Sequence, residues 1–252
     1  MSLQTLTRER DQLLAALKTS IVAVGFLWVL HLFRLFLLQS PSSWGILPRR
    51  IDGLVGILTA PLAHSGWGHL ANNSVPLVAT IFLLTYFYPR IASRAMVLMY
   101  VLTGIAVWLF ARGEGWGADI TISHVGASGV AYALVSFLFF LGVFKRSMQS
   151  IVVALVILFY FSGMIAGVLP DEAKLNVSWE SHLLGGIVGG FVAWMFRSSV
   201  LDYRTPEPEE VYVDAPFFPA DTFVYTKRER EVMRQQAMEA ERIRRSLDQG
   251  EL

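Results

Sequence analysis

Six runs of apolar residues, each about as long as a bilayer crossing, alternate with shorter polar segments along the chain. They lie at 20–38, 70–88, 95–111, 125–144, 151–169 and 182–200, and a helix needs roughly 20 residues to cross the hydrocarbon layer. Backbone groups in lipid must be satisfied within their own segment, so each run predicts a helix. The sixth is the least apolar and the richest in glycine. The first follows a charged, helix-prone stretch, is too long for the apolar region of a cleavable leader and has no small-residue cleavage site behind it, so it is expected to be a membrane span. The pattern divides the chain into a cytoplasmic segment 1–19, a six-helix domain 20–200 and a cytoplasmic tail 201–252. The expected fold class is an all-α polytopic membrane protein, a six-transmembrane-helix bundle.

Composition agrees with the pattern. Hydrophobic residues make up 54% of the chain and charged residues 16%, against about a quarter charged in an average soluble domain. The chain has no cysteine, which excludes a disulfide framework, a thiol nucleophile and a Cys-ligated metal. Charge placement sets an expected orientation. With the N-terminus in the cytoplasm, 16 of the 21 Lys and Arg residues lie on the inner side and four (Arg49, Arg50, Arg112, Lys174) on the outer, with Arg34 inside the first span. Basic residues favour the cytoplasmic face, so both termini are expected there.

Two regions depart from a simple span-and-turn pattern. The loop at 39–68 carries Trp44, Arg49 and Arg50 beside a semi-apolar stretch at 51–62, a combination suited to the headgroup layer. It is therefore expected to be partly embedded. The tail opens with a segment at 201–225 rich in proline and acidic residues, which predicts no fixed structure, and continues as a charged helix over 226–247, read as solvated.

Polar residues inside apolar runs carry the candidate chemistry, because ionisable groups in a membrane are costly and mark function by default. Three groups occur: H-S-G-W-G-H-L-A-N-N with His64, His69, Asn72 and Asn73; S-H-V-G-A-S-G-V-A-Y with His124, Ser128 and Tyr132; and S-H-L-L-G-G-I-V-G-G with His182. They open spans 2, 4 and 6, which all enter from the outer side. One cavity at that end can therefore collect a nucleophile, a base and donors for a developing negative charge. Gly129 with Ala133 on span 4, and Gly185 with Gly189 and Gly186 with Gly190 on span 6, are small-residue pairs that let two helices approach closely. Tyr132 lies one turn beyond Ser128 on the same face, where its ring can pack on His182. No Asp or Glu falls within a predicted span, so the expectation is a Ser–His dyad.

These residues resemble the rhomboid family of intramembrane serine proteases over roughly 20–200. The resemblance rests on H-x-x-x-x-H-x-x-x-N (His64, His69, Asn73), on Gly126-Ala127-Ser128-Gly129 with Tyr132 four residues after the serine, and on H-x-x-G-x-x-x-G (His182, Gly185, Gly189). It implies Ser128 as nucleophile, His182 as general base, and an oxyanion hole of His69, Asn73 and the amides of Ala127 and Ser128. Asn73 is favoured over Asn72 because it falls four residues after the second histidine, and His64 becomes a secondary contact. The resemblance also implies single-pass transmembrane proteins as substrates, cut near the outer face, with no cofactor and no nucleic-acid partner. Family analogy makes span 5 and the loop 170–181 the elements positioned to admit substrate. The Trp-Arg dipeptide common in the family's first outer loop is absent, since Gly45 follows Trp44. His124 is read as a loop or water contact, because a second base on the nucleophile's own segment leaves no task for His182.

Three other readings fit less well. A catalytically silent, client-binding relative generally lacks the serine or the histidine. A transporter is expected to show broken helices in repeated halves, and a zinc protease an H-E-x-x-H helix; neither pattern occurs.

Overall fold

A computed structural model describes residues 3–114, 121–145, 148–170, 178–201 and 227–248. The chain divides into two units, 1–201 and 202–252. Of the second, the described part is one helix, Lys227–Asp248. Apart from Leu201, the proline-rich segment read at 201–225 lies outside the described residues, as does most of the loop at 170–181.

The described part of the first unit is built on α-helices: α1 (Leu3–Phe36), α2 (Gly56–Thr59), α3 (Trp67–Phe87), α4 (Pro89–Phe110), α5 (Ser128–Lys145), α6 (Met148–Phe161) and α7 (Trp179–Leu201). Among the described residues, five segments are long and apolar enough to cross a membrane: Leu6–Phe36, Trp67–Phe87, Pro89–Phe110, Ser128–Lys145 and Ser150–Val168. The chain is thus an all-helical, multi-pass membrane protein. The sixth apolar run forms α7, a helix of 23 residues, which is not among these five.

Helix boundaries differ from the hydropathy reading for local reasons. Helix α1 runs 34 residues, about 51 Å at 1.5 Å per residue, because nothing before Gly25 breaks it. It therefore extends well beyond a hydrocarbon layer of about 30 Å. Helix α4 begins at Pro89, a favoured first helical residue, six positions before the apolar run. Helix α5 begins at Ser128 rather than 125, because Gly126 sits at φ +109°, a conformation outside any helix. The fifth apolar run continues past α6 as a 3₁₀ turn, Ser162–Val168.

Helix α5 occupies the centre, and its most extensive partner is α7. Its Leu134, Phe137, Leu138 and Leu141 are buried against Leu70 and Leu84 of α3, Met99 of α4 and Val192 of α7. The outward faces are apolar as well: Val22, Val29, Leu32, Val97, Phe159 and Ile187 are all exposed. On a water-soluble protein such a surface is a liability; on this one it is the face presented to lipid.

The segment between α1 and α3 folds over α4. Gly104 of α4 is pressed against the backbone and side chain of Ile57, and Arg49 donates to the Leu109 carbonyl at 3.2 Å and the Ala111 carbonyl at 2.7 Å. Arg49 thus caps the C-terminus of α4, where a cation is favoured. Gly45 leaves no room for a Cβ beside Ser123. Ile51, Val55 and Leu58 point outward and are exposed, a surface suited to the membrane interface.

Candidate active site

The site forms where the N-terminal ends of α3, α5 and α7 meet. Ser128 is the first residue of α5, so its amide and the next two face outward without intrahelical partners, at the positive end of the helix. The approach of α7 is close. A Cβ on Gly185 would collide with the Gly129 carbonyl, and one on Gly189 with the Ala133 carbonyl. Gly129 in turn lies against the Ser181 carbonyl, which a Cβ there would meet at 3.1 Å. Residues 128–129 and 181–185 are therefore in backbone contact. Gly186 faces open space, and a Cβ on Gly190 would meet the Phe140 ring, so the second glycine pair of the sequence lies off the backbone contact.

His182 is 8% exposed and held on two sides. Its ring stacks on Tyr132, with centroids 4.3 Å apart and planes at 10°. Its Nδ1 lies 2.9 Å from the Gly167 carbonyl. A carbonyl can only accept, so Nδ1 carries the proton and Nε2 keeps its lone pair. Tyr132 is fixed by its own bond to the Met164 carbonyl at 2.7 Å. Among the described residues no hydrogen bond joins Ser128 to His182. Catalytic hydrogen bonds are often open before substrate arrives, and the tautomer already directs the basic nitrogen away from Gly167.

Opposite stand His69 and Asn73, in the first two turns of α3. Gly126 fits between them: a Cβ there would come within 2.5 Å of His69 Cε1 and 3.6 Å of Asn73 Nδ2. Asn73 is buried while Asn72 is exposed, and Asn73 Nδ2 has no partner. A buried donor held without an acceptor is costly, which makes Asn73 Nδ2 a candidate donor to a bound negative charge. His69 Nδ1 lies 3.0 Å from Ser65 Oγ; with that hydroxyl donating, Nε2 carries the proton and is a donor too.

The Ala127 amide, which the resemblance places in the oxyanion hole, is engaged elsewhere. It donates to His64 Nε2 at 3.4 Å. The free donors are those of Asn73, His69 and the Ser128 amide. His64 is buried, and burial reinforced by the neighbouring His69 pushes its pKa down to about 4, so it accepts from Ala127 as the neutral imidazole. His124 is a loop clamp. Its Nε2 donates to the Arg112 carbonyl at 2.8 Å and its Nδ1 accepts from Ser178 Oγ at 2.6 Å. Both nitrogens are occupied, which leaves none to act as base, and burial lowers its pKa.

The helix start at Trp179 brings one carboxylate close to the site. Glu180 is buried and ion-paired with Arg112, not with His182, whose Nδ1 partner is a backbone carbonyl. Sequence reasoning missed Glu180, Gly167, Ser65 and Arg34. Gly167 and Arg34 act on or through backbone carbonyls, which leave no side-chain signature.

Loss of the Asn73 amide tests the oxyanion reading. Asn73→Ala is expected to lower kcat about a hundredfold to a thousandfold with little change in KM, measured on a membrane substrate in detergent micelles. A variant within a few-fold of wild type contradicts the role.

Comparisons with known proteins agree on kinship. An uncharacterized protein of Mycobacterium tuberculosis is 32% identical over 196 residues, 77% of this chain and 80% of its own length. One from Mycobacterium bovis matches to the same extent. One from Mycobacterium leprae is 28% identical over 215 residues, 84% of this chain and 83% of its own length. No solved structure gives a significant match. A family model described as the Rhomboid domain matches residues 52–199, from the segment before α2 through most of α7 and leaving α1 outside. That match takes in more than half of the chain, and the chain belongs to the rhomboid family.

Proposed function

We propose that the chain is an intramembrane serine endopeptidase working through Ser128 and His182 on single-pass transmembrane proteins. The observation that carries this reading is the setting of His182. Its Nδ1–H is tied to the Gly167 carbonyl and its ring is stacked on Tyr132, which leaves Nε2 as a base beside the face of α5 that bears Ser128. In the proposed reaction Ser128 Oγ attacks the scissile carbonyl carbon while its proton passes to His182 Nε2. The oxyanion is held by Asn73 Nδ2, His69 Nε2 and the Ser128 amide. His182 then gives the proton to the leaving amide nitrogen, forming an acyl-enzyme. Water then attacks the acyl carbon, giving a proton to His182 Nε2, and that proton passes to Ser128 Oγ as its bond to the acyl carbon breaks and the carboxylic acid leaves. Helix α7 is the sixth span in this reading. The site lies near the outer face of a bacterial cell membrane, with both termini cytoplasmic, and the apolar surface of the first outer loop rests in the interface.

The purified chain, reconstituted with a model single-pass protein carrying small and helix-breaking residues near the outer face, is expected to cut it there. Stable binding without cleavage would support a client-binding role instead. The pH profile gives a second test. His182 must be neutral to act as base, so kcat/KM is expected to fall as pH drops and the imidazole takes up a proton. Flat activity down to pH 4 contradicts the assignment.

A further inference from the structure

Arg34 lies within the first span, yet it is only 4% exposed. A guanidinium in such a place is costly and calls for a task. None of the ion pairs among the described residues involves it. Its two terminal nitrogens donate to backbone carbonyls on two separate segments, while Nε is buried without a partner. Nη1 donates to the Gln39 carbonyl at 2.6 Å, just past the end of α1, and Nη2 to the His64 carbonyl at 2.9 Å. Nη2 also lies 3.4 Å from His31 Nδ1. Such charge-assisted bonds are stronger than neutral ones, and the planar fork reaches two acceptors in a fixed geometry.

The residue held in this way is the one that touches the site from behind. His64 is fully buried, and its Nε2 accepts the Ala127 amide next to Ser128. Its ring meets that of His69 edge-on at 5.2 Å. His31 fills the remaining side, edge-on to His64 at 6.5 Å and to Trp67 at 4.7 Å. The path therefore runs from Arg34 through the His64 backbone to the Ala127–Ser128 peptide and the His69 ring.

We propose that Arg34 is a positioning residue for catalysis, which fixes His64 and through it the oxyanion side of the site. The proposal rests on the peptidase reading. Arg34 meets no substrate; it sets where the Ser128 amide and the His69 ring stand.

The test compares wild type with Arg34→Gln and Arg34→Lys on the single-pass substrate, with active sites titrated by a fluorophosphonate. Expressing kcat per titrated site removes any loss of folded protein, the effect a merely structural arginine would have. Arg34→Gln is expected to lose roughly tenfold to a hundredfold in kcat per titrated site with KM little changed, and Arg34→Lys to recover part of it. In a His64→Phe background, Arg34→Gln is expected to add almost nothing, because both changes break one path. Wild-type kcat per titrated site in Arg34→Gln, or losses that simply multiply with His64→Phe, overturns the proposal. If Arg34→Gln yields too little folded protein, Arg34→Lys carries the test: a lowered kcat per site is expected, and an equal one overturns the idea. An inactive, unlabelled wild type overturns the peptidase reading as well, whereas an active wild type with unaltered variants overturns the Arg34 role alone.

Discussion

Replacing His182 with alanine is expected to lower cleavage of a membrane substrate by about 10,000-fold or more, with the protein still folded. The size follows from the division of labour in the site. Without Nε2 no group in reach takes the Ser128 proton, because both nitrogens of His124 are occupied and His64 Nε2 is engaged with the Ala127 amide. Removal of a nucleophile or its base in comparable hydrolases costs rates of this order, and what remains comes from binding and the oxyanion hole. Tyr132 loses its stacking partner, but the α5–α7 contact rests on glycines further along and should persist. Thermal stability in detergent is therefore expected to change far less than activity. Retained activity in a folded His182→Ala protein would exclude the dyad.

The second large effect is expected from one methyl group. A Cβ on Gly185 falls inside van der Waals distance of the Gly129 carbonyl. That obstacle is backbone and cannot swing aside as a flexible side chain does. Gly185→Ala must push α7 away from α5, at a cost of about 1–3 kcal/mol for overpacking. The displacement also moves His182, one turn earlier on the same helix, relative to Ser128. Misplacement of about 1 Å is enough to cost roughly a hundredfold in rate. Gly186→Ala is the control, since its Cβ enters open space, and kcat and thermal stability are expected to stay near wild type. Equal behaviour of the two variants contradicts the packing account.

The same glycines show how much of this molecule can be read from its sequence. Small residues at 185 and 189, and at 129 and 133, announced a close helix pair, because only small residues let backbones touch. Which of the two overlapping glycine pairs faces α5 was not legible. Gly185 and Gly186 are adjacent, and the rotation of α7 about its axis decides between them. The membrane-crossing helices were visible as long apolar runs, but their starts were not. Arg90 and Arg94 masked the first turns of α4, although Pro89 signalled its beginning. The departure at Gly126 moved the start of α5 to Ser128.

The chemistry of the site divides along the same line. Ser128, His182, His69 and Asn73 stand out because polar groups in apolar runs are rare. Their supports are hidden because they act through the main chain: Gly167 offers a carbonyl to His182, and Arg34 grips the carbonyl of His64. Backbone acceptors are present at every residue, so pattern alone cannot single them out. Glu180 was placed outside the sixth apolar run, and only the helix start at Trp179 brings it next to Arg112.

The most direct measurement of the central claim needs no knowledge of the natural substrate. The full-length protein in detergent micelles is incubated with a fluorophosphonate probe, which reacts with a serine only when that serine is activated as a nucleophile, and the labelled peptide is identified by mass spectrometry. The account predicts a single adduct on Ser128 in the wild type and none in Ser128→Ala or His182→Ala. A wild type that resists the probe, or an adduct that persists in Ser128→Ala, would contradict it.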